Sequence, residues 1–282
     1  MSMKMKKTAF IYDFDKTLCD RDMQEYSLIP ELGYASPGLF WQEVNDTAQA
    51  QDMDPISAYL YMLKRKFEES GRPLTRAAFA GIGSSINLYP GVDSWFERVN
   101  AMARENGLEA EHYIISSGMH EILESTPIAS EFKKIYACRY YYDDSGCAVW
   151  PANIVNYTAK TQYIFRINKQ VLEEGHEAEL NAWVPMNKRS IPFERMVYIA
   201  DGITDVPCMR VVTMNGGKAI AVYNPQSAKA AFTAERLLNK KRANYMAPAD
   251  YSAGSTMEKL VRMILQEMGA RAQLEELEGI IQ

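Results

Sequence analysis

The apolar run 9–12, Ala-Phe-Ile-Tyr, stops on Asp13-Phe14-Asp15. A buried strand ending on two carboxylates two residues apart narrows the folds open to the chain. On extended backbone, residues two apart share one side, so both charges need solvent or a positive partner at that end. Three more polar clusters follow in order: Ser116-Ser117-Gly118, Lys160, and Asp201-Gly202-Ile203-Thr204-Asp205. Taken singly, each is also an ordinary strand end, turn, helix cap or surface lysine. Their order and their shared placement at strand ends are what constrain the architecture.

The intervening patterns supply the elements. Between residues 19 and 88 strand-like runs vanish. Asp54-Pro55 reads as an N-cap with proline at the first helical position, and Ile56, Tyr59, Leu60, Leu63 and Phe67 then fall on one helical face. Gly71-Arg72-Pro73 stops that helix, and 36–50 and 75–86 are read as further helices. From Tyr89 the pattern alternates: helix 92–105 closed by Gly107, strand 112–115, a helix after Gly118, strand 134–138, and a hairpin turning at 143–146. Helix 158–169 and an irregular charged tract, 173–194, come next. Strand 196–200, helix 206–212, strand 219–223 and helix 227–239 complete the alternation. The stripe Met257, Leu260, Val261 and Ile264 reads as a docking helix, and the tail 274–282 is left open between fraying and association. Strands alternating with helices imply an α/β fold, a mostly parallel sheet with helices on both faces, whose ligands bind at the carboxyl ends of the strands.

Composition sets the remaining bounds. A chain of 282 residues with 47% hydrophobic content can bury a sizeable core, and a net charge of −5 gives no general pull toward nucleic acid or an anionic membrane. Four cysteines without CxxC spacing and three histidines argue against zinc. The N-terminal apolar stretch is too short for a signal sequence and no run reaches membrane-spanning length, so a cytoplasmic protein with reduced thiols is expected.

In combination the four clusters resemble the four motifs of the haloacid dehalogenase-like hydrolase superfamily, most of whose members are magnesium-dependent phosphatases. Asp13-x-Asp15-x-Thr17-Leu18 matches the first motif, Ser116 the second, Lys160 the third and Asp201-Gly202-x-x-Asp205 the fourth. The resemblance covers 1–19 and 89–282 and implies a Rossmann-like catalytic core. The tract 20–88 then looks like the helical cap of the phosphoserine phosphatase-like branch. By resemblance, Asp13 is the nucleophile and Asp15 the general acid and base. Asp13, the Asp15 carbonyl, Asp201 and Asp205 hold Mg2+. Thr17, Ser116, Ser117, Gly118 and Lys160 hold phosphate, with the Ser117 and Gly118 amides opening a helix.

The physics agrees. Phosphate monoesters hydrolyse extremely slowly unaided, so a site needs a positioned nucleophile and concentrated positive charge. Two alternatives stay open: Lys169 in place of Lys160, and Ser117 in place of Ser116, since a one-residue change in where the strand ends swaps them. Arg21, Asp22 and Gln24 enter the cap and either face substrate or cap a helix. His120 reads as a polar first-turn residue and Tyr140-Tyr141-Tyr142 as strand packing. The expected activity is hydrolysis of a small phosphorylated metabolite, with no nucleic-acid or membrane partner. Phosphotransfer through the same intermediate, or a non-catalytic binding protein on the same fold, are the alternatives.

Overall fold

The computed structural model describes residues 5–281. Strand β1 (Lys6–Tyr12) leads into a helical tract containing α1 (Leu28–Glu31), α2 (Pro37–Gln51) and α3 (Pro55–Glu69). Then follow α4 (Val92–Glu105), β2 (Leu108–Met119), α5 (His120–Glu124), β3 (Lys134–Tyr142), β4 (Ala148–Asn153), α6 (Lys160–Lys169) and α7 (Glu177–Asn181). The last third contains β5 (Met196–Ala200), α8 (Val206–Met214), β6 (Lys218–Tyr223), α9 (Ala228–Asn239), β7 (Tyr245–Pro248) and α10 (Thr256–Ile281). No described helix is long and apolar enough to cross a membrane.

The seven strands form one sheet in the order β4-β3-β2-β1-β5-β6-β7. Every pairing is parallel except β3 with the edge strand β4. Alternate residues of a strand face opposite sides, yet all five residues of β5 and the last five of β1 are buried, so both faces of the sheet are covered. β1 lies at the centre, with β2 on one side and β5 on the other. Successive connections run outward in opposite directions from it, which makes its carboxyl end the switch point where such sheets bind ligands.

Several elements differ from the sequence reading. Strand β2 begins at Leu108 and runs to Met119, well beyond 112–115 at both ends. Its charged start is tolerated because Lys7 and Lys133 each meet the Glu111 carboxylate at 2.6 Å. The expected helix 75–86 is two short 3-10 turns, Arg76–Phe79 and Gly83–Ser85, separated at Gly81 in the left-handed region. The tract 173–194 contains α7 and a 3-10 turn, Met186–Lys188. β7 is too short to leave a periodic signal and exists because β6 offers it hydrogen bonds.

The helical tract leaves and re-enters the sheet where Cys19 and Leu88 form an antiparallel bridge and the Tyr89 amide donates to Leu18 O at 2.9 Å, and it meets the sheet edge again where Thr75 bridges Cys147 and the Ala148 amide donates to Leu74 O at 2.7 Å. Asp54 caps α3 as expected, accepting from the amides of Ile56 and Ser57. Its other oxygen accepts from Asn156 Nδ2 at 3.2 Å, which fastens α3 beside the segment leading to Lys160.

Candidate active site

The first loop is built to leave the strand sharply. The Asp13 amide still donates to Ile199 O at 3.0 Å, but Phe14 O then accepts from the amides of both Thr17 and Leu18. Lys16, at φ 57°, takes the left-handed conformation that the turn demands. Thr17 ties this loop to its surroundings. It is wholly buried, its hydroxyl accepts from the Asp201 amide at 3.2 Å, and its carbonyl accepts from the Tyr251 hydroxyl at 2.8 Å. The first and fourth motifs are thus tied together through Thr17, which was expected to hold phosphate and is not among the residues lining the cavity described below.

Lys160 enters at the first residue of α6 and is 1% exposed. Its ammonium donates to Asp13 Oδ1 at 3.0 Å and to Asp205 Oδ1 at 2.7 Å. Burial opposes its charge, but the Asp13 and Asp205 carboxylates outweigh that and raise its pKa above the usual lysine value. Lys169 is spent elsewhere, on the carbonyls of Leu180 and Ala182. The structure therefore brings Lys160, and not Lys169, to the site. Asp205 is fully buried, with Oδ1 also accepting from the Tyr198 hydroxyl at 2.7 Å and Oδ2 from Thr204 Oγ1 at 2.8 Å.

Asp13, Asp15, Lys160 and Asp201 line one cavity of about 300 Å³. Burial, followed by the Asp205 charge, raises Asp13 to about 7 despite Lys160. Burial, then Asp22 and Asp13, holds Asp15 well above the ordinary carboxylate range, and burial with Asp13 and Asp205 does the same for Asp201. A carboxyl inclined to keep a proton near neutrality suits a general acid.

The second motif requires a correction. Residues 116–118 lie within β2 and α5 starts only at His120, so the Ser117 and Gly118 amides do not open a helix. Ser116 is wholly buried, and its hydroxyl accepts from the Gly118 amide at 3.0 Å. Ser117, on the opposite side of the strand, lines the cavity, and its buried hydroxyl has no partner. Gly118 serves packing: a Cβ there would lie 2.1 Å from Met23 Cε. Met23 in turn donates its amide to Asp15 Oδ1 at 2.8 Å, so the bare backbone of Gly118 admits the residue that orients Asp15.

Of the three cap-entry candidates, Asp22 and Gln24 line the cavity. Arg21 does not line it; its guanidinium pairs with Asp20 and lies over the Tyr26 ring. Trp41, Asn45, Tyr59 and Tyr157 also reach the cavity and were not singled out from sequence as site residues. The sequence pattern places Tyr59 in an apolar stripe. Only the packing of α2 on α3 turns it inward, although Tyr157, three residues before Lys160, carried a positional hint.

The donor set fits a hard divalent ion. Asp13, Asp201 and Asp205 each offer a carboxylate oxygen, all within 4.8 Å of one another, with no sulfur or nitrogen among them. Mutual repulsion among these crowded acids is what a cation would relieve. Asp15 is outside the trio.

The family described as haloacid dehalogenase-like hydrolase matches residues 10–210. A protein of Borreliella burgdorferi, itself named only as uncharacterized, is 28% identical over 290 residues, covering 92% of this chain and 96% of its own. Among solved structures, a probable phosphoserine phosphatase from Vibrio cholerae matches with a TM-score of 0.59 at 11% identity, covering 95% of this chain and 67% of that one. A HAD family hydrolase from Salmonella enterica subsp. enterica serovar Typhi matches at 0.56 and 15%, covering 92% and 72%. A phospho-aspartyl intermediate analogue of phosphoserine phosphatase matches at 0.51 and 15%, covering 86% and 93%. At such identities the likeness is one of fold.

Proposed function

The chain belongs to the haloacid dehalogenase-like hydrolase family, and from that premise we propose that it is a magnesium-dependent phosphomonoesterase acting on a small phosphorylated metabolite through a phosphorylated Asp13. One observation carries this reading. A buried ammonium, Lys160, is held between Asp13 and Asp205 while Asp15 faces the same cavity. A magnesium ion held by Asp13, Asp201 and Asp205, with the Asp15 carbonyl, would supply positive charge against the phosphate oxygens.

In this reading an Asp13 carboxylate oxygen forms a bond to phosphorus as the bond to the leaving oxygen breaks. Asp15 gives its proton to that oxygen, then removes one from the water that hydrolyses the acyl phosphate. Lys160 keeps positive charge beside Asp13 and the transferring group, and the unpartnered Ser117 hydroxyl donates to a phosphate oxygen. The helical tract 20–88 acts as a cap, with α2 and α3 walling the cavity and excluding water. The four unpaired cysteines suit a reducing, cytoplasmic setting.

Phosphate release from p-nitrophenyl phosphate and a panel of phosphorylated metabolites, with Mg2+ and with EDTA, tests the proposal. Turnover that requires the metal and is abolished in Asp13→Asn is expected. Full activity in EDTA, or in that variant, overturns it.

A further inference from the structure

A second cavity, of about 190 Å³, lies in the groove between α8 and α9. It shares no lining residue with the catalytic cavity, although Ile203 at its border sits between Asp201 and Asp205 in the chain. Arg236, Lys240 and Arg242 line it, and no acidic residue does. Among the described residues no carboxylate or other acceptor meets any of these three side chains, and the Arg236 guanidinium rests against the Phe232 ring, 5.8 Å from its centroid. In the catalytic cavity, by contrast, Lys16 and Lys160 are both held by aspartates.

The concentration of charge is local. Residues 229–242 carry five basic side chains and one acidic in a chain whose net charge is −5. Three like charges around one cavity repel one another until an anion enters. The rest of the lining is apolar, Ile203, Val206 and Leu237, apart from Thr233, whose hydroxyl is spent on Lys229 O at 3.0 Å. The cations are thus the donors, set beside apolar surface. Arg210 Nη1, on α8, donates at 3.1 Å to Lys241 O just past the end of α9, which ties the two walls of the groove together. Arginine forks and a lysine ammonium match the several oxygens and double charge of a phosphate better than they match a single carboxylate. Glu235 is exposed on α9 and outside the lining, so it opposes docking on a flat anionic surface but not a ligand within the groove.

We propose that this groove is a second anion site, which takes a soluble phosphate monoester or phosphonate with a short apolar body, its oxygens on Arg236, Lys240 and Arg242 and its body against Ile203, Val206 and Leu237. The site needs no metal and stands whether or not the catalytic cavity hydrolyses phosphate esters.

Phenylphosphonate, whose carbon–phosphorus bond a phosphomonoesterase does not cleave, is the probe. Isothermal titration calorimetry in EDTA keeps any divalent cation out of the catalytic cavity. Binding is expected under those conditions, and it should weaken by about tenfold or more in the double variant Arg236→Gln/Lys240→Gln. Lys229→Gln/Lys241→Gln removes as much charge from the same stretch but outside the lining, and should stay within about twofold. All four side chains are exposed, so both variants should fold, as circular dichroism checks. Methylphosphonate, with less apolar surface to bury, should bind more weakly than phenylphosphonate. No binding in EDTA, equal losses in the two double variants, or equal affinity for the two phosphonates overturns the proposal. Capture of the protein by phosphatidylglycerol vesicles without binding of phenylphosphonate overturns it equally, and assigns these cations to a membrane surface.

Discussion

Lys160 and Asp205 form a buried ion pair at 2.7 Å, and Asp205 is held from the other side by the Tyr198 hydroxyl. The lysine is thus anchored by a residue outside the cavity lining and presented to Asp13, within it. Removing it strips charge compensation from Asp13.

Lys160→Ala should therefore lower kcat on p-nitrophenyl phosphate by about 10²-fold or more. Lys169→Ala, which loses only bonds to two carbonyls, should stay within a few-fold. Circular dichroism of both variants separates lost chemistry from lost folding, since breaking a buried pair costs about 3–5 kcal/mol. Equal, small kinetic effects would move the third motif elsewhere.

Asp13 and Asp15 should separate in pre-steady-state kinetics. Asp13→Asn has no nucleophile, so no covalent phosphoenzyme should form. Asp15→Asn loses an acid and base contributing about 10²–10⁴-fold, yet p-nitrophenolate barely needs protonation on leaving. That variant should give a burst of p-nitrophenol and then slow turnover, with phosphate retained on Asp13. Phosphate trapped by the Asp13 variant instead would reverse the assignment.

The neighbouring serines make a sharper contrast. Ser117→Ala removes the unpartnered hydroxyl in the cavity and should raise KM and lower kcat. Ser116→Ala breaks only the bond to the Gly118 amide, costing about 1 kcal/mol of stability with a smaller kinetic effect. Urea denaturation and steady-state kinetics on both variants decide, and the opposite ranking would restore Ser116 as the phosphate ligand.

Stability should depend on pH differently with and without metal. Asp13 has a folded-state value of about 7 against an ordinary 3.8. Its contribution is therefore present below 3.8 and lost as pH rises through 7, at about 1.4 kcal/mol per unit in that window. His112 runs oppositely: burial lowers it to about 3, so its contribution is present above 6.5 and lost as pH falls toward 3. His112 is common to both conditions and drops out of the difference. Stabilisation by Mg2+ over EDTA, read from thermal denaturation, should thus grow from pH 5 to pH 8. A difference that shrinks over that range would falsify the carboxylate trio as the cation site.

Asp54→Ala should destabilise the protein by about 0.5–2 kcal/mol through loss of the α3 cap. It also releases Asn156, four residues before Lys160, so KM should rise more than kcat falls. An unchanged KM would show that the link between α3 and the Lys160 segment is not functional.

The sequence by itself determined the sheet and which charged side chains gather at its carboxyl end. Asp13, Asp15, Lys160, Asp201 and Asp205 were legible because each sits beside a local signal, an apolar run or a helix start, and strand ends gather at one edge of a parallel sheet whatever the loops do. Other features turned on contacts between distant segments. β2 outruns its apolar core because Lys7 and Lys133 meet Glu111, and that longer strand decides that Ser117 faces the cavity while Ser116 faces away. Thr17 became a tie between loops only when Asp201 and Tyr251 arrived beside it. The cavity wall was least legible, because Trp41 and Tyr59 look like any apolar helix positions until α2 packs on α3. Local patterning fixes which face of an element is buried; which side chains meet across elements depends on packing angle and register, and only the folded chain sets those.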